Sequence, residues 1–174
     1  MYEWRRQIQQ IVDEIDGCIR SHDDAALTLR SLSRTLGYSE YYTTRKFREI
    51  SGMQLRDYLR RRRLAFALRE VREETGLTMH APVYRGIVDF FCDPWPAERM
   101  HLYTCTDFCG EMTDCDEGCL EWVDKAAVQD LPIWQGDKIF FKLLAEDAPF
   151  FHLELTYDGD VLVKAVLDGV SLAL

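Results

Sequence analysis

Glu70, Glu73 and Glu74 stand three and four positions apart. On a helix that spacing crowds three carboxylates onto one face. Like charges so placed repel, and a hard divalent cation with oxygen ligands, Mg²⁺ or Mn²⁺, relieves the repulsion. The ordinary alternative is a solvated acidic face. A second concentration of chemistry has the opposite sign: Arg45, Lys46 and Arg48 follow two tyrosines and two threonines in a segment opened by Ser39. Such a composition can lie along a phosphate backbone, or remain a solvated helix face.

The elements that must position these residues are legible in the periodicity. Trp4, Ile8, Ile11, Val12, Ile15 and Ile19 recur at three- and four-residue steps, which predicts an amphipathic helix. Thr28 is placed to cap a short helix ending at Leu36-Gly37, and Ser39 to cap a second over Glu40 to Ile50. The inward residues of the second helix are expected to be Tyr42 or Thr43, Phe47 and Ile50. A helix, a tight glycine turn and a capped basic helix make the docking unit of many DNA-binding proteins. Gln54 to Thr75 reads as one continuous helix with Leu55, Leu59, Leu64, Leu68 and Val71 near one side, ended by Gly76.

Beyond that helix the character changes. Val83 to Phe91, Met100 to Phe108 and Cys119 to Val123 carry the β-branched and aromatic residues of strands. Lys125 to Leu131 and Asp137 to Leu144 suit helices, with Pro132 between them. Phe150 to Tyr157 and Val161 to Leu167 flank Asp158-Gly159, a hairpin signal.

The formal net charge of -9 hides an asymmetry. Residues 1–72 hold 15 Lys/Arg against 10 Asp/Glu, a net of +5, whereas the remainder holds 6 against 20, a net of -14. The basic part suits a polyanion, and the acidic part suits cations. No apolar run approaches the ~20 residues of a membrane span, and the first residues lack the apolar stretch of a signal peptide. A cytoplasmic protein without a membrane partner is expected, with its six cysteines reduced. Cys105-x3-Cys109 and Cys115-x3-Cys119 suggest paired thiolates for zinc. They straddle a strand end and a loop, so they read as free cysteines and no zinc is expected. His80, His101 and His152 are dispersed and read as structural or exposed.

The run Leu29-Arg-Ser-Leu-Ser-Arg-Thr-Leu-Gly-Tyr-Ser-Glu-Tyr-Tyr-Thr-Thr-Arg-Lys-Phe-Arg-Glu-Ile-Ser-Gly-Met, with Asp57-Tyr-Leu-Arg-Arg-Arg-Arg-Leu, resembles the first helix-turn-helix and central helix of the AraC family of transcriptional regulators. The match covers about residues 11–72. The resemblance places base-reading residues at Tyr41, Thr44 and Arg45, with Arg45 suited to a bidentate guanine contact. It makes Arg34, Lys46 and Arg48 phosphate contacts. The family's second helix-turn-helix does not follow the central helix. That implies weak DNA binding for a single copy and a role for a homodimer.

Arg69-Glu-Val-Arg-Glu-Glu-Thr-Gly-Leu77 resembles the latter part of the Nudix box. Met100-His-Leu-Tyr-Thr, Cys115-Asp-Glu-Gly, Glu121-Trp-Val-Asp-Lys and Leu131-Pro-Ile-Trp-Gln-Gly-Asp-Lys-Ile-Phe-Phe are similar to the bacterial 8-oxo-dGTP diphosphatase branch of that family. The resemblance implies Mg²⁺ or Mn²⁺ on Glu70, Glu73 and Glu74, catalytic roles for Glu73, Glu74 and Glu117, and a nucleotide partner. The box also begins with a Gly and a Glu upstream, and Leu55 and Arg61 stand at those positions here. The strands that precede the box in the family are replaced by helical sequence.

The expected fold class is therefore α+β. An all-α helix-turn-helix region over residues 1–68 leads, through one continuous helix, into a truncated Nudix-like α/β region over 69–174 with a mixed or antiparallel sheet. The expected function is that of a regulator-like DNA-binding protein carrying a Nudix region with impaired hydrolysis. The alternative is a Mg²⁺-dependent hydrolase cleaving nucleoside triphosphates such as 8-oxo-dGTP to monophosphate and diphosphate.

Overall fold

The computed structural model describes residues 2–21, 27–113 and 119–174. They form two compact units, residues 1–73 and 74–174. The first unit is helical. Helices α1 (Tyr2–Arg20), α2 (Leu29–Leu36), α3 (Glu40–Ser51) and α4 (Leu55–Thr75) follow one another, and the unit boundary falls within α4.

Caps set the α2–α3 turn. Thr28 Oγ1 accepts from Ser31 N at 3.1 Å, and Ser39 Oγ accepts from Tyr42 N at 3.3 Å, each satisfying an N–H that the helix cannot. Between them Gly37 adopts φ 72°, and its N–H and that of Tyr38 return to Arg34 O and Ser33 O. This left-handed closure strains any residue with a Cβ, and glycine makes it at little cost.

The core of this unit joins Ile8, Ile11 and Ile15 of α1, Leu27 and Leu32, Phe47 of α3 and Leu55 of α4. Their burial follows the three- and four-residue steps of the sequence. Phe47 is 0% exposed and meets Tyr58 edge-on at 5.3 Å, a burial that contributes about 1.5–3 kcal/mol by area. Thr43, not Tyr42, is buried beside Phe47 on α3, whereas Ile50 is 38% exposed. Ile50 shares the phase of Thr43 and Phe47 but stands in the last turn of α3, next to its end at Ser51.

α4 departs from its expected stripe. Leu55 and Phe66 are its buried residues. With Leu59 and Arg62 they recur at i, i+4, i+7 and i+11, whereas Leu64 lies roughly half a turn away from that line. Arg62 holds Asp16 of α1 through Nε to Oδ1 at 2.9 Å and through Nη2 to Oδ2. Phe66 takes the guanidinium groups of Arg20, Arg62 and Arg69 around its ring at 5.6, 5.4 and 5.0 Å.

The second unit holds strands β1 (Thr78–His80), β2 (Val83–Cys92), β3 (Glu98–Thr104) and β4 (Asp107–Cys109), a 3₁₀ turn over Lys125–Asp130, helix α5 (Gln135–Ala145), and strands β5 (Phe151–Asp158), β6 (Val161–Leu167) and β7 (Val170–Ser171). The five-stranded sheet runs β3-β2-β5-β6-β7, with β2 and β5 parallel and every other pair antiparallel. It is the mixed alternative of the two expected, and the molecule is α+β.

In β5, Phe151, Leu153, Leu155 and Tyr157 are buried while the residues between them are not, the period of a half-buried strand. Their side packs with Val88, Leu162 and Ala165 against Phe140 of α5. Gly136 permits the approach: a Cβ there would lie 2.5 Å from Leu155 Cδ1 and 2.6 Å from Tyr157 Oη. Its N–H donates to that hydroxyl at 2.7 Å.

Two expected strands are corrected. The segment from Met100 to Phe108 divides at Cys105-Thr106, because β3 pairs with β2 while β4 pairs with β1 in a separate two-stranded sheet. Cys105 Sγ sits at that switch, 3.1 Å from His80 O and 3.0 Å from Asp107 O. Cys119 to Val123 joins no ladder; Trp122 instead stacks on Phe108 at 5.4 Å. The expected helix at Lys125 is a six-residue 3₁₀ turn.

Candidate nucleic-acid interface and acidic helix face

Because Thr43 and Phe47 face the core, the opposite side of α3 is fixed as well. Tyr41, Thr44, Arg45 and Arg48 fall at i, i+3, i+4 and i+7 on that side. With Glu49 and Gln54 they line an open hollow of ≈ 400 Å³. Tyr41 is 75% exposed, Arg45 and Arg48 are exposed, and Thr44 is half-buried with its Oγ1 donating to Glu40 O at 2.8 Å. A protruding helix with an aromatic, a hydroxyl and two guanidinium groups on one face matches the chemistry of base edges and phosphates. Arg34 is exposed in the last turn of α2.

Lys46 occupies a different side. Its Nζ lies 5.9 Å from the ring centres of both Trp4 and Tyr42. Those rings pack with Tyr38 at centroid separations of 4.8–5.4 Å.

One residue on this surface escaped the sequence reading. Glu49 accepts from Arg45 Nε at 3.0 Å through one carboxylate oxygen and from Lys46 Nζ at 2.6 Å through the other. The Lys46 and Arg45 hydrogen bonds draw its pKa below the usual carboxylate range, and Glu49 in turn raises both cations. Its spacing, three from Lys46 and four from Arg45, was the available signal.

The acidic face of α4 is organised differently. Glu70 is half-buried, and Glu73 and Glu74 are exposed. Arg69 Nε lies 3.6 Å from a Glu73 oxygen while the same guanidinium covers Phe66. Among the described residues no group of three or more His, Cys, Asp or Glu side chains is placed to hold a metal ion. Helical spacing gathers the three carboxylates on one side, with Arg69 beside Glu73. Gly76 ends the helix at φ 74°. Glu117 and Cys115 lie outside the described residues; Cys105, Cys109 and Cys119 are free thiols.

The most organised polar cluster of the second unit was also missed. Asp89, buried on β2, accepts from Arg99 Nε and Nη2 at 2.6 Å each and faces His152 Nε2 at 2.7 Å. Register brings the three together, since β3 and β5 flank β2. His101 meets the Tyr84 hydroxyl at 2.7 Å, and His80 Nε2 lies 3.4 Å from Cys109 Sγ.

A helix-turn-helix unit with an exposed basic face and, later in the chain, a five-stranded mixed sheet define a regulator-like module joined to a nucleotide-hydrolase-like one. No family model matches the chain. Regulatory protein SoxS of Escherichia coli (strain K12) is 36% identical over 81 residues, covering 47% of this chain and 71% of SoxS. The Nudix hydrolase YvcI of Bacillus subtilis is 24% identical over 151 residues, covering 84% of this chain and 87% of YvcI. The crystal structure of the MutT protein from Bacillus halodurans superimposes with a TM-score of 0.57 at 31% identity, covering 60% of this chain and 72% of that one. The chain belongs to the AraC-type regulators through its N-terminal part and to the Nudix hydrolases through its C-terminal part. No helix among the described residues is long and apolar enough to cross a membrane.

Proposed function

We propose that this chain is a DNA-binding, regulator-like protein whose Nudix-type region hydrolyses nucleotides poorly. Residues 1–68 form the DNA-binding module and 69–174 the Nudix-like one. The observation that carries the reading is the outward face of α3. Arg45 supplies the guanine-reading guanidinium, Tyr41 and Thr44 the contacts to thymine methyl groups or phosphates, and Arg34 and Arg48 the phosphate contacts. With one helix-turn-helix per chain, phosphate neutralisation supplies most of the affinity, so binding is weak and steeply salt dependent. A homodimer restores a second docking unit.

Impaired hydrolysis follows from how the first unit uses the upstream half of the box. Leu55, at the position of the box glycine, is 4% exposed in the helical core, and the described chain before Thr78 is helical. Arg69 spends its guanidinium on Phe66 and Glu73. Glu70, Glu73 and Glu74 remain the residues to hold Mg²⁺ or Mn²⁺, but Arg61 stands where the box has its upstream glutamate, so the carboxylate complement of the box is incomplete.

Fluorescence anisotropy of a labelled duplex, titrated with the full chain from low to moderate salt, tests the proposal. Binding that falls linearly in log–log form supports it. No binding at low salt overturns it.

A further inference from the structure

We propose that Glu49 is a positioning residue for DNA reading, holding Arg45 in a fixed orientation with Lys46 as the strut behind it. The inference rests on the DNA-binding reading above and assigns a role to two residues outside the reading set.

An arginine that reads guanine end-on donates through its two Nη groups, and these must arrive in one plane and one direction. A free arginine on a helix surface samples many rotamers, and ordering it costs part of the contact energy. Here the Nε edge is taken by Glu49 Oε1 at 3.0 Å, while the end-on Nη pair is the part left to match O6 and N7. Glu49 is itself tied down: its other oxygen receives Lys46 Nζ at 2.6 Å. Lys46 sits over the Trp4 and Tyr42 rings, which pack with Tyr38 in tilted and edge-on contacts. A chain of contacts thus runs from an aromatic cluster joining α1 and α3, through an ammonium and a carboxylate, to the guanidinium on the reading face.

Stability is not the purpose of this arrangement. Exposed i, i+4 pairs contribute little, and Arg45 and Glu49 have side chains 63% and 42% exposed. A carboxylate on a DNA-facing helix also repels phosphate. Glu49 therefore costs general affinity, and its return is orientation. Lys46 is accordingly spent on the carboxylate and not on a phosphate.

The two effects separate in one experiment. Full-length wild type, Glu49→Gln, Lys46→Ala and Arg45→Ala are each used to select from a random duplex library, and their affinities for a random-sequence duplex are measured in parallel. Wild type should enrich a site with a guanine at one position. Glu49→Gln should bind the random duplex more tightly, having lost a negative charge, yet prefer that guanine about tenfold less. Lys46→Ala should weaken the preference in the same direction, and adding Glu49→Gln to Arg45→Ala should lower it no further. A purely structural role would lower both readouts together. Full retention of the guanine preference in Glu49→Gln overturns the positioning role alone. Failure of the wild type to bind any duplex overturns the DNA reading and this inference with it.

Discussion

Arg99 and Asp89 meet fork to fork, Nε on Oδ1 and Nη2 on Oδ2, each at 2.6 Å, across the β2–β3 register. Asp89 is 8% exposed and takes His152 on the same carboxylate. With the carboxylate ionised, His152 Nε2 is the donor, a tautomer assigned from its partner.

The Arg99 hydrogen bonds, with the His152 one, hold the Asp89 pKa below its ordinary value despite burial. A carboxylate depressed in the folded state stabilises above its unfolded pKa, near pH 4, and loses that contribution as pH falls through the lower folded value. Asp89→Asn should cost about 1.5–3 kcal/mol near neutrality, toward the low end because Arg99 is half exposed. The difference should shrink below about pH 4. Urea unfolding followed by the methyl signals of Val88 and Leu153 checks this, and a pH-independent difference excludes ionised Asp89 as the source.

Arg45→Ala should weaken binding to a selected site by about 1–3 kcal/mol and relax base choice at one position. Arg48→Ala should weaken all duplexes alike and lower the salt slope by about 1. Anisotropy titrations on selected and scrambled duplexes distinguish them, and identical behaviour of the two variants would refute the division between reading and positioning contacts.

Gly136→Ala should destabilise the second unit by about 1–3 kcal/mol through overpacking. The added methyl enters space held by Leu155 and the Tyr157 hydroxyl. Thermal unfolding measures the loss, and an unchanged melt would mean that α5 can shift away without penalty.

The full chain should hydrolyse 8-oxo-dGTP slowly, because misplacement of reacting groups can cost ~10²-fold. Mn²⁺ on Glu70, Glu73 and Glu74 should raise the melting temperature saturably, and that metal-dependent shift should disappear in Glu70→Gln/Glu74→Gln; equal shifts in both proteins would mean that the acidic face holds cations only diffusely. Rapid turnover abolished by Glu73→Gln would overturn the impaired hydrolysis.

Several of these features were already fixed locally. The Thr28 and Ser39 caps, the Gly37 turn and the alternation of β5 depend on neighbouring residues, and local rules placed them correctly. The Glu70, Glu73 and Glu74 spacing was equally visible. Spacing alone, however, says nothing of what else competes for each carboxylate, and Arg69 takes Glu73.

Other features depend on partners distant in sequence. A β-rich run cannot announce which strand will pair with it, so the break at Cys105-Thr106 and the strandless Cys119–Val123 segment were invisible beforehand. Asp89, Arg99 and His152 span 63 positions between the first and last, and only the register of β3-β2-β5 brings them into one hydrogen-bonded group. The two modules, their opposite charges and the helix phase that exposes Arg45 are local properties, readable residue by residue. The fold decided which charges are engaged, because hydrogen bonding acts over a few ångströms and periodicity carries no information about long-range proximity.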